Sequence, residues 1–354
     1  MSEPEKRATL KDIAAEVGLS VTAVSQTLNG RPIRLSEENK KRIREVAKKR
    51  NYRASSVARS LALRKTNTLG LLIPDIENPF FASLAKSLEE NARKAGYLLI
   101  IVNSNDDPAV ECDLVNMLLE REVDGLFIIP GNPSGRAASQ ATSSGLFDIL
   151  AGIQKPFVLV DRISGPLKCD RVAFDNENGG EIGTDALINQ GHCRIACVAN
   201  LRTVNGRERV RGYRHSLEKH GIDYNESLVI DCGYHETDGY EAGGLLAELL
   251  SSKNGSESIT GAISCSDMIT LGIVNRFHEL GISIPKDCSL VSYDNSRAIN
   301  FSSPGITAVA QEVPALAESA LDALYRRMAN IDAEPIEHIL KPYVVERESV
   351  RAYS

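Results

Sequence analysis

From Leu69 onward the chain alternates short, uninterrupted apolar runs with amphipathic stretches of helical length, and this alternation constrains the fold most. The runs LGLLIP (69–74), LLIIVNS (98–104), GLFIIPG (125–131) and PFVLVDR (156–162) are separated by helical patterns that include 80–95 and 110–121. A second series contains VAFDN (172–176), RIACVAN (194–200), LVIDCG (228–233), GAISCSD (261–267) and CSLVSYDN (288–295), with helices expected over 180–190, 209–220, 239–250 and 269–280. Strands that are apolar throughout are buried on both faces, which calls for a parallel sheet covered by helices on each side. Two doubly wound α/β lobes are the expected result.

A chain of 354 residues, 42% hydrophobic and 25% charged, has the length for two or three domains and the composition for sizeable cores. No run of about 18 apolar residues occurs, and the opening MSEPEKRATL is polar where a secretory signal is apolar. A cytoplasmic location is expected, with no membrane partner. The seven cysteines, at 112, 169, 193, 197, 232, 265 and 288, form no CxxC pair and read as reduced packing residues.

The net charge of -6 hides an asymmetry. Residues 1–68 carry 16 Lys and Arg against 7 Asp and Glu, while the remainder carries 25 against 40. A basic head on an acidic body suggests a polyanion-binding module joined to a separate domain.

Within the head, Thr9-Leu10-Lys11-Asp12 has the form of a capping box, Ile13, Ala14 and Val17 make an apolar stripe, and Gly18 permits a tight turn. Ser20 then caps a second helix running through Leu28, with Val24 placed to wedge between the two: a helix-turn-helix pattern. Ser36-Glu37-Glu38 opens a third helix through Arg50, with Ile43, Val46 and Ala47 inward and Lys40, Lys41, Arg42, Arg44, Lys48, Lys49 and Arg50 outward. A one-signed face beside such a motif favours phosphate contact. On the second helix Val21, Thr22, Ser25, Gln26 and Asn29 are small or amide-bearing, suited to base edges in the major groove. Residues 55–62 form a short serine-capped helical pattern that leaves Leu61 exposed.

The strings TLKDIAAEVGLSVTAVSQTLNG (9–30) and NYRASSVARSLALRKTNTLGLLIPDIENPFF (51–81) resemble the lactose/galactose-repressor family of bacterial transcription regulators, and the resemblance covers essentially the whole chain. It implies a DNA-binding domain at 1–54, a hinge helix and linker at 55–68, and a periplasmic-binding-protein-like core at 69–354. That core would have an N-lobe of about 69–174 and 311–340 and a C-lobe of about 175–310 and 341–354, with three crossovers near Phe174, Gln311 and Lys341. It implies a repressor that binds pseudo-palindromic double-stranded operator DNA, with Arg53 and Arg59 among the phosphate contacts and Leu61 wedged into a central minor-groove step. The chain ends without leucine heptads, so a homodimer is expected.

Ligands of open parallel sheets sit beyond the carboxyl ends of the strands, and polar residues follow the apolar runs here: Asp75, Asp161-Arg162, Asp175-Asn176, Ser266-Asp267 and Asp294. Capping a following helix is the plainer role for Asp175 and Asp267. By resemblance, Phe80, Phe81, Asp161, Phe174, Arg209, Tyr234, Ser266, Asp294 and Gln311 fall on effector-binding positions. Carboxylates that accept from hydroxyls, a guanidinium fork and aromatic walls suit a sugar or a sugar derivative. The Ser/Gly/Ala-rich stretch 132–154 departs from the family and is expected to be a loop.

Two other readings use the same architecture. A nucleotide-using enzyme would need a phosphate-binding or catalytic signature, and GxxxxGK[ST], a GxGxxG after the first strand, HExxH and GxSxG are all absent; His192 reads as a packing residue. A stand-alone solute-binding protein would carry an export signal in place of the basic head. Neither a metal nor a cofactor is expected.

Overall fold

The computed structural model describes residues 8–28, 30, 32–52, 65–131, 144–163, 165–251 and 258–353. Asn29, Arg53, Arg59 and Leu61, with most of the expected hinge helix and residues 132–143, lie outside the described residues. The chain divides into two compact units between Thr66 and Asn67.

The first unit holds helices α1 (Leu10–Val17), α2 (Val21–Leu28) and α3 (Glu37–Lys49). The capping box forms: the Asp12 amide donates to Thr9 Oγ1 at 3.3 Å, and the Thr9 amide donates to the Asp12 carboxylate at 2.8 Å. Gly18 ends α1 at φ +69°, a left-handed conformation that a side chain would strain. Ser20 Oγ accepts from the Ala23 amide at 3.1 Å, so the second helix starts four residues after the first ends. Ile13, Val24 and Ile43 are completely buried where the three helices meet, each stabilising the unit by roughly 1.5–3 kcal/mol.

The second unit contains two six-stranded sheets. One comprises β1 (Thr68–Ile73), β2 (Leu98–Asn103), β3 (Gly125–Ile128), β4 (Phe157–Val160), β5 (Asp170–Phe174) and β11 (Glu337–Leu340), in the order β11-β5-β4-β3-β1-β2. All its pairings are parallel. The other comprises β6 (Ile195–Ala199), β7 (Val229–Asp231), β8 (Gly261–Ser264), β9 (Ser289–Asp294), β10 (Thr307–Ala310) and β12 (Tyr343–Val345), in the order β12-β10-β9-β8-β6-β7. It is parallel except for the antiparallel β10/β12 pair.

Helices α4 (Pro79–Lys94) and α12 (Val313–Ala329) contribute to the core on one face of the first sheet, and α5 (Pro108–Glu120) and α6 (Ser144–Gly152) to the core on the other. The second sheet is covered in the same way by α7 (Asn176–Ile188) and α8 (Val204–Lys219) on one face, and by α9 (Glu236–Leu250) and α10 (Asp267–Leu280) on the other. A short α11 (Arg297–Asn300) follows β9. The chain passes between the lobes after β5, after β10 and after β11. In each sheet the first strand pairs with both the second and the third, which makes a switch point at its carboxyl end.

Four expectations need correction. Residues 144–152 are helix rather than loop, because Leu146, Phe147 and Leu150 share a face and bury against the first sheet. Helix α7 starts at Asn176, ahead of Gly180, since Asp175 caps it by accepting from the Asn178 amide at 2.9 Å. Helix α8 starts at Val204, ahead of Arg209, since Thr203 caps it. Asp267 does not cap α10: Ser266 Oγ does, accepting from the Met268 amide, and the Asp267 carboxylate turns elsewhere.

Candidate functional site

The DNA-reading candidates lie on α2. Val21 and Thr22 are exposed, and Ser25 and Gln26 are half-buried on the same helix. Lys41, Arg42, Arg44, Lys48 and Lys49 are exposed on α3; Lys40 pairs with Glu37, and Arg50 with Glu16. The unit thus offers a short helix with polar side chains outward beside a basic helix face.

In the second unit the sequence candidates converge between the two sheets. A cavity of about 30 Å³ is lined by Asn78, Phe80, Phe81, Asp161, Arg162, Asn205, Arg209, Tyr234, Ser266 and Asp294. It shares Asn78, Phe81, Arg162 and Tyr234 with a wider cavity of about 470 Å³, which adds Asp75, Glu77, Asp106, Arg202 and His235. Seven of the nine sequence candidates therefore surround one space. Phe174 does not: it packs in the core of the first lobe and lines a neighbouring cavity of about 340 Å³. Gln311 follows β10, is buried, and has no partner for either amide atom among the described residues.

Each side chain is held by its element. Pro79 opens α4, and the Asn78 side chain caps it by accepting from the Phe80 amide at 3.0 Å; this seats the edge-to-face Phe80–Phe81 pair at the end of β1. Asp161 follows β4 in a left-handed conformation, φ +62°. Its Oδ2 accepts from Asn205 Nδ2 at 3.2 Å, a hydrogen bond that joins the lobes, while its Oδ1 is buried with no partner among the described residues. Arg162 Nη1 donates to Asp106 Oδ1 at 2.7 Å and lies over the Phe81 ring.

Arg209 is fixed on several sides. Its Nε donates to Asn176 Oδ1 at 2.9 Å, its Nη1 donates to the Cys265 carbonyl at 2.6 Å, and its guanidinium stacks 3.7 Å above the Tyr293 ring. Its Nη2 stands 4.0 Å from Asp294 Oδ1. Asp294 ends β9 at φ +79°, and burial pushes its carboxyl up to about 7 against the opposing pull of Arg209. Burial likewise raises the Asp161 carboxyl, with Arg162 and Arg209 opposing. Tyr234 shares a hydrogen bond of 3.0 Å with Thr203 Oγ1.

Two carboxylates and two guanidiniums thus face a small space walled by aromatic rings. Such a set can bind a polar, uncharged molecule through both donors and acceptors. Among the described residues no group of three or more His, Cys, Asp or Glu is placed to hold a metal ion, and no helix is long and apolar enough to cross a membrane.

The sequence reading missed Asn78 and Asn205 as lining residues, and it placed Arg162 at a strand end without counting it among the effector contacts. Arg162 was within reach as the neighbour of Asp161. Asn205 precedes Arg209 by four residues and so shares its helix face, but that signal is lost when the helix is begun at Arg209.

Comparison with known proteins agrees with this architecture. Residues 9–55 match the model for bacterial regulatory proteins of the lacI family, and residues 184–350 match the periplasmic binding protein-like domain. The chain is 30% identical to the ribose operon repressor of Haemophilus influenzae over 97% of this chain and 98% of that protein. A lacI-family transcriptional regulator from Enterococcus faecium, solved with bound ribose, superposes with a TM-score of 0.69 at 26% identity, over 81% of this chain and 100% of that one. The lac repressor dimer bound to operator and the anti-inducer ONPF shares the fold with a TM-score of 0.84 at 20% identity, over 98% of this chain and 100% of that one. The chain therefore belongs to the lacI family of bacterial regulatory proteins, and it is a helix-turn-helix DNA-binding transcriptional repressor governed by a small-molecule effector.

Proposed function

We propose that the effector is a neutral, polyhydroxylated molecule of the sugar class, held by Asp161, Arg162, Asn205, Arg209, Ser266 and Asp294 with Phe80, Phe81 and Tyr234 as walls. Phe174 and Gln311 are not among the residues that line this space. The observation that carries the reading is Asp161 Oδ1, a buried acceptor with no donor among the described residues, in a space that also holds Asp294 and Arg209. A hydroxyl supplies that donor without leaving a buried charge unpaired. The ribose for which the operon repressor is named, and which the Enterococcus regulator holds, belongs to the same chemical class.

The protein acts in the cytoplasm as a homodimer on a pseudo-palindromic operator. Each head lays α2 in a major groove, where Val21, Thr22, Ser25, Gln26 and Asn29 meet base edges, Arg53 and Arg59 meet phosphates, and Leu61 enters the minor groove between the half-sites. The ligand is bound and released unchanged.

A melting-temperature screen with pentoses, hexoses, sugar phosphates and purine bases tests the ligand class. A ligand at 100 times its Kd stabilises the native state by about 2.7 kcal/mol. A pentose or hexose should raise the melting temperature of the wild type and leave Asp294→Ala unmoved. Stabilisation by purine bases alone would overturn the sugar assignment.

A further inference from the structure

Asp267 is the first residue of α10, yet its buried carboxylate serves the next strand rather than its own helix. Ser292 Oγ donates to Asp267 Oδ1 at 2.6 Å, and the Ser296 amide donates to Oδ2. Thr270 Oγ1 lies 2.6 Å from Ser292 Oγ and 3.0 Å from the Ser266 carbonyl, and its single proton serves one or the other. The carboxylate therefore spans β9 on one side of residues 294–295 and the start of α11 on the other.

What lies between those two anchors is strained. Asp294 and Asn295 are consecutive non-glycine residues in the left-handed region, at φ +79° and +61°. Such backbone persists only where its surroundings over-determine it. Arg347 Nη2 holds the Asn295 side chain at 2.6 Å. Among the described residues Asp267 reaches both ends of the turn through side-chain hydrogen bonds, and that turn sets Asp294 Oδ1 beside Arg209.

We propose that Asp267 is a positioning residue of the effector site: its carboxylate clamps Ser292 to the Ser296 amide and so holds the left-handed turn that presents Asp294 to the ligand. This rests on Asp294 being a ligand contact, as proposed above. Asparagine at 267 can keep the clamp, since its carbonyl accepts from the Ser296 amide while its NH₂ donates to Ser292 Oγ. Alanine cannot.

The test uses the full-length protein with D-ribose as the probe. Amide hydrogen exchange is measured without ligand, and D-ribose affinity by calorimetry, on wild type, Asp267→Ala and Asp267→Asn. In Asp267→Ala the Ser296 amide should lose at least tenfold of its protection, with α10 and the body of β9 unchanged, and D-ribose affinity should fall at least tenfold. Asp267→Asn should recover both to within about threefold. If Asp267→Ala does not fold, Ser292→Ala carries the test: it frees one carboxylate oxygen and should give a smaller loss of protection confined to 294–296.

Unchanged Ser296 protection in the alanine variant would overturn the proposal. So would protection lost throughout α10, or equal damage from alanine and asparagine. If D-ribose binds none of the proteins, the sugar assignment is what fails, and the exchange measurement still decides the role of Asp267.

Discussion

Asp294 is caught between two demands. Burial pushes its carboxyl up to about 7, whereas an ionised carboxylate makes the stronger hydrogen bond to a hydroxyl. Affinity for a neutral sugar should therefore rise between pH 6 and pH 8 and level off above. Asp294→Asn should flatten that profile and weaken binding about tenfold or more. Titration calorimetry at three pH values checks this, and affinity that falls as pH rises would contradict it. The stability effect runs the other way. Because the folded-state pKa is raised, the stabilising contribution of this group is fully present below the ordinary aspartate range and is lost as pH rises through about 7.

At this scale the sequence was informative wherever a polar residue follows an apolar strand, as Asp161 and Asp294 do. It was silent on Asn205, which reaches the site from a helix turn, and it read Asp267 as a helix cap, since the partners of that carboxylate lie 25 and 29 residues away. Long-range partners of that kind leave no local pattern.

Among the elements, the helix pair α7/α8 decides where Arg209 stands. A Cβ on Gly180 would lie 2.0 Å from the Arg209 carbonyl oxygen, and one on Gly212 would lie 1.9 Å from the Glu177 carbonyl oxygen. The two helices touch backbone to backbone through reciprocal glycines. Gly180→Ala must push them apart at the point that carries the guanidinium. It should cost about 1–3 kcal/mol of stability, read from the urea midpoint, and should lower effector affinity. A variant with wild-type midpoint and affinity would show that this approach does not set the site.

The strands β1 to β9 were legible as apolar runs, whereas the short β10 and the exposed edge strands β11 and β12 were not. Helix starts were not, because Asp175 and Thr203 cap α7 and α8 several residues before the apolar periodicity begins. Helix α6 was hidden by its Ser/Gly/Ala-rich surroundings, although Leu146, Phe147 and Leu150 share a face.

Over the whole molecule, charge separates the tasks. The 68-residue basic head attracts the DNA backbone and the acidic remainder repels it, which confines binding to the head. The effector site sits between two lobes joined by three chain passages and by the Asn205–Asp161 hydrogen bond, so a ligand held by both lobes favours one lobe-to-lobe arrangement. Coupling of that kind is typically about 1–3 kcal/mol and is reciprocal: whatever the effector does to operator affinity, the operator does to effector affinity. The head, the two lobes and their order along the chain were readable from charge and apolar periodicity. The three crossovers came from resemblance alone, since a change of sheet leaves no mark on periodicity.

The most direct test of this account is the affinity of the full-length protein for a fluorescent operator fragment, measured by anisotropy with and without saturating sugar, in wild type and in Arg209→Ala. The wild type should change its operator affinity by about 5- to 150-fold when the sugar is added, and Arg209→Ala should bind operator normally and show no change. An Arg209→Ala protein that responds like the wild type would contradict the account.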